Sequence, residues 1–284
     1  MKGLISEKNI VNHREDIGNS GLPPVYPLNQ LCDDQYGIKY IIGDKFYEFS
    51  KSNHVVSVSD FLNKMGEFGK FASIKQVYYF GQGVSFDEKK IITEYCIKHN
   101  ISIFRNDKAA DSAITHKLKQ ENIMITDPIK MGENFYRSNL LINDECAEMS
   151  DHVTGCHIQG MVLIEAARQM MLAVSEKFIL GIENQGKSYC ILNNVITSFN
   201  QFIFPIDVVM EHSIISLDTY RNGTYAVKCK TLFIQDNKIA TEVAIEYKLY
   251  DKRFMVKKEE QIAEKCLQQS ALRIRRSLLK DASN

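Results

Sequence analysis

The pattern of apolar and polar positions changes near residue 110. In residues 57–68 apolar side chains recur at spacings of three and four, which predicts an amphipathic helix. Residues 75–81 are β-branched and aromatic, a helix that Ser85 or Asp87 can cap follows to His99, and a short apolar run occupies 101–104. This strand–helix–strand order predicts a parallel unit. Residues 37–49 predict a hairpin with its turn at Gly43 and Asp44.

From residue 113 to 253 several strands surround one long, strongly apolar segment. The segment at 161–179 is too long for a strand, and we predict a buried helix there. The predicted strands lie at 121–126, 135–142, 188–197, 208–217, 224–234 and 238–250. Asn222-Gly223 and Asp236-Asn237 mark hairpin turns between the last of them. One helix against a curved antiparallel sheet predicts an α+β architecture.

These patterns divide the chain into four parts. We predict an extended arm at 1–34, a small α/β domain of unknown role at 35–112, a larger α+β domain at 113–253 and a charged helical tail at 254–284. Residues 80–83, Phe-Gly-Gln-Gly, do not form a GxGxxG fingerprint, so docking or dimerisation suits the small domain better than phosphate binding. The tail carries a basic run, Arg273, Arg275 and Arg276, which is typical of a solvated face.

Charge and cysteine usage exclude several classes of protein. The 284 residues include 35 basic and 35 acidic side chains, so no global charge favours nucleic acid or an anionic membrane. No run reaches the roughly 18 apolar residues of a membrane helix, and the N-terminus lacks the apolar core of a signal peptide. Seven cysteines without a CxxC pair and histidines without HExxH spacing indicate neither a disulfide framework nor a metal site. We therefore expect reduced thiols, a cytoplasmic location and no bound metal.

The segment 151–171 carries the residues best suited to chemistry. Its loop contains Asp151, His152 and His157 and leads into the apolar helix. Glu165, Arg168 and Gln169 are three and four positions apart, so they lie near one face of that helix. Burying a lone carboxylate costs several kcal/mol unless it is paired. A structural Glu165–Arg168 ion pair and a functional site both satisfy this requirement, and the residues alone leave both interpretations open.

A resemblance to a known family favours the functional interpretation. Residues 151–169, DHVTGCHIQGMVLIEAARQ, resemble the signature of the A-factor biosynthesis hotdog family, in which Asp-His, a second His, Gly and Glu-Ala-Ala-Arg-Gln recur in this order. Residues 199–207, FNQFIFPID, resemble the aromatic-Pro-Asp turn that follows the helix in that family. His116-Lys117 and residues 122–127, NIMITD, resemble its opening strand. The resemblance covers about half of the chain and implies a hotdog domain, a long central helix wrapped by a curved antiparallel sheet, preceded by a smaller α/β domain.

The resemblance also implies a function. It predicts acyl transfer from a β-ketoacyl or similar thioester to a small acceptor such as dihydroxyacetone phosphate, in signal or secondary-metabolite biosynthesis. A carrier protein or coenzyme A would deliver the acyl group, with no other cofactor bound. Because family members that make butyrolactone signals usually carry two hotdog repeats and this chain has one such motif, we expect a homodimer through this domain. A hotdog thioesterase, a hydroxyacyl dehydratase and a non-catalytic acyl- or lactone-binding module are the alternatives.

The catalytic roles implied by the resemblance concern three residues. Glu165 would be the general base, or the acid if the apolar helix raises its pKa. His157 or His152 would share the proton transfer, within one subunit or across a dimer interface. The structural alternatives are a helix-orienting carboxylate and histidines that brace the loop.

The remaining candidates would bind substrate. The amide of Gly160, at the helix start, would polarise the thioester carbonyl. Arg168 would orient the carboxylate or hold a phosphate. Gln169 and Asp151 complete this set, although Asp151 suits a loop hydrogen-bond acceptor better than a catalyst. Cys156 is disfavoured as a nucleophile, because the resemblance implies activation of water or an acceptor alcohol.

Overall fold

A computed structural model describes residues 37–65, 76–104, 107–149, 155–221 and 223–281. The predicted arm at 1–34 and the pair Asp151-His152 lie outside the described residues. Gly37–Asn284 form one compact unit that contains a four-stranded and a six-stranded sheet. The predicted α+β fold class is confirmed.

The smaller sheet is entirely parallel, with the order β2-β1-β3-β4. Its elements are β1 (Gly37–Ile42), β2 (Val55–Ser57), α1 (Val58–Lys64), β3 (Gln76–Phe80), α2 (Phe86–Lys98) and β4 (Ser102–Phe104). Ser57 caps α1, and Ser85 with Glu88 forms a capping box on α2. The predicted parallel unit is confirmed.

The predicted hairpin at residues 37–49 is wrong. β1 pairs in parallel with β2, and two short 3-10 turns, Asp44–Phe46 and Phe49–Lys51, connect them. A tight hairpin turn needs a positive φ, whereas Gly43 has a φ of −63°. Gly43 is needed for close packing, because a Cβ there would lie 2.1 Å from a carboxylate oxygen of Asp144.

The larger sheet is antiparallel, with the order β5-β6-β8-β9-β10-β7. Its strands are β5 (Ile129–Gly132), β6 (Phe135–Asn139), β7 (Ser188–Phe199), β8 (Val209–Thr219), β9 (Tyr225–Gln235) and β10 (Lys238–Asp251). The turn residues Asp236 and Asn237 both have positive φ, as the predicted hairpin requires. The predicted strand at 121–126 is wrong. This stretch begins with a 3-10 turn, and Met124 and Ile125 are apolar because they enter the core.

The central helix α4 (Gly160–Val174) is the apolar helix expected from the sequence. Ten of its 15 residues are buried, and it packs against β7, β9 and β10. A π-helical turn, Ser175–Ile179, extends it. The same core includes Ile42 of β1 and Phe46 of the following 3-10 turn. The smaller sheet also has a hydrophobic cluster of its own, which includes Ile41, Phe61 and Phe80.

Gln82, after β3, joins the smaller sheet to the part of the chain that contains the larger sheet through buried hydrogen bonds. Its side-chain amide donates to the carbonyl of Leu140 at 2.9 Å and accepts from the amide of Ile142 at 2.8 Å. Its backbone amide donates to the carbonyl of Pro205 at 3.0 Å. The side chain is only 1% exposed. Because buried polar groups left unpaired are destabilising, these bonds fix the two regions relative to one another.

Two further helices complete the description. α3 (Ser112–Thr115) precedes the hotdog strands and is capped by Asp111. α5 (Lys252–Asp281) follows β10 and is exposed along almost its whole length, including its basic run at 273–276. None of the helices in the described ranges is both long and apolar enough to cross a membrane.

Candidate functional site

The start of α4 lacks a side-chain cap. Gln159, the N-cap residue, makes no side-chain hydrogen bond to the helix amides. Its side-chain nitrogen instead donates to the carbonyl of Glu148 at 2.6 Å. The first amides of α4, beginning at Gly160, are not capped by the Gln159 side chain and carry the positive end of the helix dipole. This geometry suits a developing negative charge on a carbonyl oxygen.

Glu165 lies at the centre of a cluster of donors. Arg168 binds it in a bidentate manner, with nitrogen–oxygen distances of 2.7 and 2.8 Å. Lys117 lies 2.8 Å from the same carboxylate, and Gln169 donates to it at 3.0 Å. The structure therefore brings together Glu165, Arg168 and Gln169, the three helix residues expected from their spacing, and adds a second cation.

Glu165 is ionised in this arrangement. Burial alone would raise its pKa, but the hydrogen bonds from Arg168, Lys117 and Gln169 outweigh burial and lower the pKa to about 2. The condition for an acid role, a pKa raised by the apolar helix, is therefore not met. The hydrogen bonds to Glu165 and Glu148 also raise the pKa of Lys117, against the opposing effect of burial.

Lys117 and Glu148 belong to the Glu165 cluster but were not among the site residues predicted from the sequence. The ammonium of Lys117 bridges Glu165 and Glu148, with a distance of 3.1 Å to the latter. Both partners are far from Lys117 in sequence, and no periodicity connects them. The one available signal was the position of Lys117 in the segment that resembles the opening of the family domain.

Gln169 has a structural task besides its bond to Glu165. Its side chain accepts from the amide of Met124 and donates to the carbonyl of Asn122, each at 2.8 Å. These bonds hold the segment that was wrongly predicted as a strand. Gln169 is fully buried, which fits this role better than direct contact with a substrate.

His157 is half-buried before α4, and its ring packs on Phe202 with the centroids 4.6 Å apart. Among the described residues, no hydrogen bond or ion pair connects His157 with Glu165. The structure thus places the two predicted catalytic groups at the same end of α4 without joining them.

A second buried carboxylate lies beyond α4. Glu176 is fully buried and accepts hydrogen bonds from Ser188 at 2.6 Å and the amide of Gly186 at 2.9 Å, while His116 lies 2.9 Å away. Burial would raise its pKa, but these partners lower it. This cluster connects the end of the helix to α3 and to the start of β7.

A cavity of about 600 Å³ lies between α3, α4 and β7. Its basic lining residues are His116, Lys117, Arg168 and Lys252, and Met171, Leu172 and Leu192 contribute apolar surface. Among the described residues its lining includes no acidic side chain, but Lys117 and Arg168 pair with Glu165 and His116 pairs with Glu176. Such a mixture suits a ligand with an apolar portion and an anionic group. No group of three or more His, Cys, Asp or Glu side chains in the described ranges is placed to hold a metal ion.

The fold and the site define a hotdog protein with an ion-paired carboxylate on its central helix. Comparison of the sequence with protein families matches the A-factor biosynthesis hotdog domain to residues 103–245, half of the chain. The chain belongs to the A-factor biosynthesis hotdog family. Comparison with functionally curated proteins gives no match.

Several solved structures share part of the fold. A conserved Pseudomonas aeruginosa protein, PA5202, is 14% identical, with 44% of this chain and 87% of that chain covered and a TM-score of 0.32. The thioesterase HI1161 of Haemophilus influenzae is 13% identical over 45% and 78% of the two chains, with a TM-score of 0.32. PH1136 of Pyrococcus horikoshii is 18% identical over 49% and 92%, again with a TM-score of 0.32. These similarities concern the fold.

We expect Glu165→Gln to destabilise the protein at pH 7 by about 2 kcal/mol, because it leaves Arg168 without its carboxylate and Lys117 with Glu148 alone. The pKa of Glu165 is lowered in the folded state, so its contribution is complete above about pH 4.5 and is lost as the pH falls toward 2. The difference from the wild type should therefore shrink over that interval, as measured by urea unfolding at a series of pH values.

Glu242→Gln is the matched control, since Glu242 forms an exposed pair with Lys230 at 3.5 Å. It should change stability by less than about 0.5 kcal/mol. A Glu165→Gln variant as stable as the wild type at pH 7 would contradict the ion-pair account.

Proposed function

We propose that the protein is an acyl-thioester-processing enzyme that transfers the acyl group of a β-ketoacyl thioester to a small phosphorylated acceptor such as dihydroxyacetone phosphate. Membership of the A-factor biosynthesis family supports thioester chemistry. The observation that supports the acceptor is the cavity beside α4, which is lined by the basic side chains of His116, Lys117, Arg168 and Lys252. A carrier protein or coenzyme A delivers the acyl group, and the product serves signal or secondary-metabolite synthesis.

In the proposed reaction the acceptor hydroxyl attacks the thioester carbonyl carbon. His157 accepts the hydroxyl proton as the new carbon–oxygen bond forms. The carbonyl oxygen becomes an oxyanion, which the amide of Gly160 stabilises with the helix dipole. The carbon–sulfur bond then breaks, and the leaving thiolate takes the proton back from His157. This sequence needs no bound metal or redox cofactor.

Glu165 has a positioning role in this proposal. A carboxylate with a pKa of about 2 is a weak base, so the base role implied by the resemblance passes to His157. Glu165 holds Lys117 and Arg168 in fixed positions at the cavity wall. The two cations bind the acceptor phosphate, for which Arg168 offers a planar donor fork.

Hydrolysis and dehydration are the alternatives within the same fold, because water can replace the acceptor alcohol or leave from the acyl chain. A non-catalytic acyl- or lactone-binding module would use the same cavity without turnover. The basic side chains in the cavity support a phosphorylated acceptor, and they would equally suit the phosphate of a pantetheine arm, which the alternatives share.

We also propose that two copies pair through β7. β7 is an edge strand that bonds to β10 on one side, and its other edge has no strand partner among the described residues. It exposes Leu192, Val195, Ile196 and Phe199. A long apolar edge strand is a ready surface for strand pairing, and a second copy offers a self-complementary partner.

Mass spectrometry of the products tests the reaction. The wild type, given a β-ketoacyl thioester and dihydroxyacetone phosphate, should form an acyl phosphate ester that requires both substrates. His157→Asn should lower its rate by about 100-fold or more, because the general base is lost. His54→Asn is the matched control and should retain the wild-type rate, since the His54 side chain is exposed and makes no hydrogen bond or ion pair with another described residue.

Each other product has a definite meaning. Free β-keto acid would make the protein a thioesterase, and an enoyl product from a hydroxyacyl thioester would make it a dehydratase. Saturable binding of an intact thioester without turnover would show an acyl-binding module. Any of these outcomes would overturn the transferase proposal.

Light scattering tests the dimer. We expect the wild type to have twice the chain mass of 32.6 kDa and Ile196→Lys to be monomeric, because a charge replaces an exposed apolar side chain on the edge strand. Ile215→Lys on β8 is the matched control, since Ile215 is 63% exposed and Ile196 60%. The proposal fails if the wild type is a monomer or if Ile196→Lys remains dimeric.

A further inference from the structure

The turn after β1, residues 43–51, contacts the segment that leads to His157. Lys45 is its main donor. The ammonium of Lys45 donates to the carbonyl of Asp144 at 2.5 Å and to the carbonyl of Met149 at 2.9 Å. Its backbone amide donates to the Asp144 carboxylate at 3.2 Å. One lysine of the α/β region, which comprises residues 37–104, thus binds both ends of the stretch 144–149.

The same turn holds the residue two positions before His157. The amides of Glu48 and Phe49 both donate to the carbonyl of Gly155, at 2.8 and 3.0 Å. Gly155 has a φ of +66°, and a Cβ there would lie 3.0 Å from the ring of Tyr47. A side chain at this position would therefore be strained in its backbone and crowded by the turn.

These contacts extend through Glu148 to the ion-paired carboxylate of Glu165. Glu148, next to the Met149 carbonyl that Lys45 holds, shares Lys117 with Glu165. The carbonyl of Glu148 also accepts from Gln159 at the start of α4. A shift of the peptide between 148 and 149 would consequently reach both the helix start and the cation cluster.

This contact lies at the carboxyl ends of β1 and β3 in the smaller sheet. In open parallel sheets, ligands bind outside the carboxyl ends of the strands where the strand order reverses, here between β1 and β3. That space contains Asp144, since a Cβ on Gly43 or Gly83 would lie 2.1 or 2.3 Å from its carboxylate. The edge where such a sheet binds a ligand is therefore occupied by the protein's own chain.

We propose that the α/β region is a positioning element for the loop that leads to His157, with Lys45 as its principal positioning residue. We also propose that the edge of the smaller sheet where a ligand would bind in an open parallel sheet contacts this loop instead. The catalytic part of this inference rests on the proposed function. The α/β region holds the backbone at residues 144–149 and at Gly155, two positions before His157, and so sets the position of His157 relative to α4. Misplacing such a group by about 1 Å costs on the order of 100-fold in rate.

Lys45→Met tests the proposal through hydrogen exchange and kinetics. Amides in the segments 144–149 and 155–159 should exchange at least 10-fold faster, while those of β8 and β9 should remain as in the wild type. In the proposed transfer reaction kcat should fall by about 10- to 100-fold with KM changed less than about 3-fold, because orientation is lost and binding is retained. Lys45→Arg, which can donate to the same carbonyls, should restore both.

Lys51→Met is the matched control, because Lys51 lies in the same turn and is exposed, and its ammonium contacts the Glu48 carboxylate and the Tyr47 ring but no residue of 144–157 in the described ranges. It should leave exchange and kcat unchanged. Unchanged exchange in the two segments of Lys45→Met would overturn the proposal, as would equally faster exchange in β8 and β9, which would mean general destabilisation. A wild type without turnover would contradict the proposed function instead, and the exchange data would still decide whether Lys45 orders the loop.

Discussion

The carboxylate of Glu165 lies on a largely apolar central helix, and much of the surrounding structure depends on how this charge is paired. A buried charge must be paired and hydrogen-bonded. Arg168 supplies the bidentate partner, and Lys117 supplies the second cation from the segment after α3. Through Lys117 the same pairing extends to Glu148, so one electrostatic requirement fixes the segments that surround the start of α4.

The second constraint is the contact between the parallel sheet and the hotdog region. Gln82 connects the parallel sheet to the hotdog region through buried hydrogen bonds, and Lys45 donates hydrogen bonds to the carbonyls of Asp144 and Met149. A domain whose role could not be inferred from its own sequence thus has a structural role defined by what it contacts. The chemistry that we propose lies in the hotdog region, and the α/β region limits the movement of the loop that carries it.

The sequence predicted those features that depend on local periodicity or on a continuous motif. Such features are the buried helix α4, the strands β7 to β10 and the close approach of Glu165, Arg168 and Gln169. The prediction from sequence failed where the same residue type is found in two different structural settings. Gly43 supports close packing instead of a hairpin turn, and Met124 and Ile125 are core residues outside a regular strand. Contacts over long sequence separation, such as those of Lys117, leave no periodic trace and needed the fold.

The central claim is that the uncapped start of α4 receives the thioester carbonyl. Titration of the 15N-labelled protein with a β-ketoacyl pantetheine analogue, whose thioester sulfur is replaced by methylene, tests it without turnover. The account predicts saturable binding, with the largest shifts at the amides of Gly160 and Met161 and further shifts around Arg168. Absence of binding at millimolar analogue, or shifts confined to β1–β4 and α5, would contradict it.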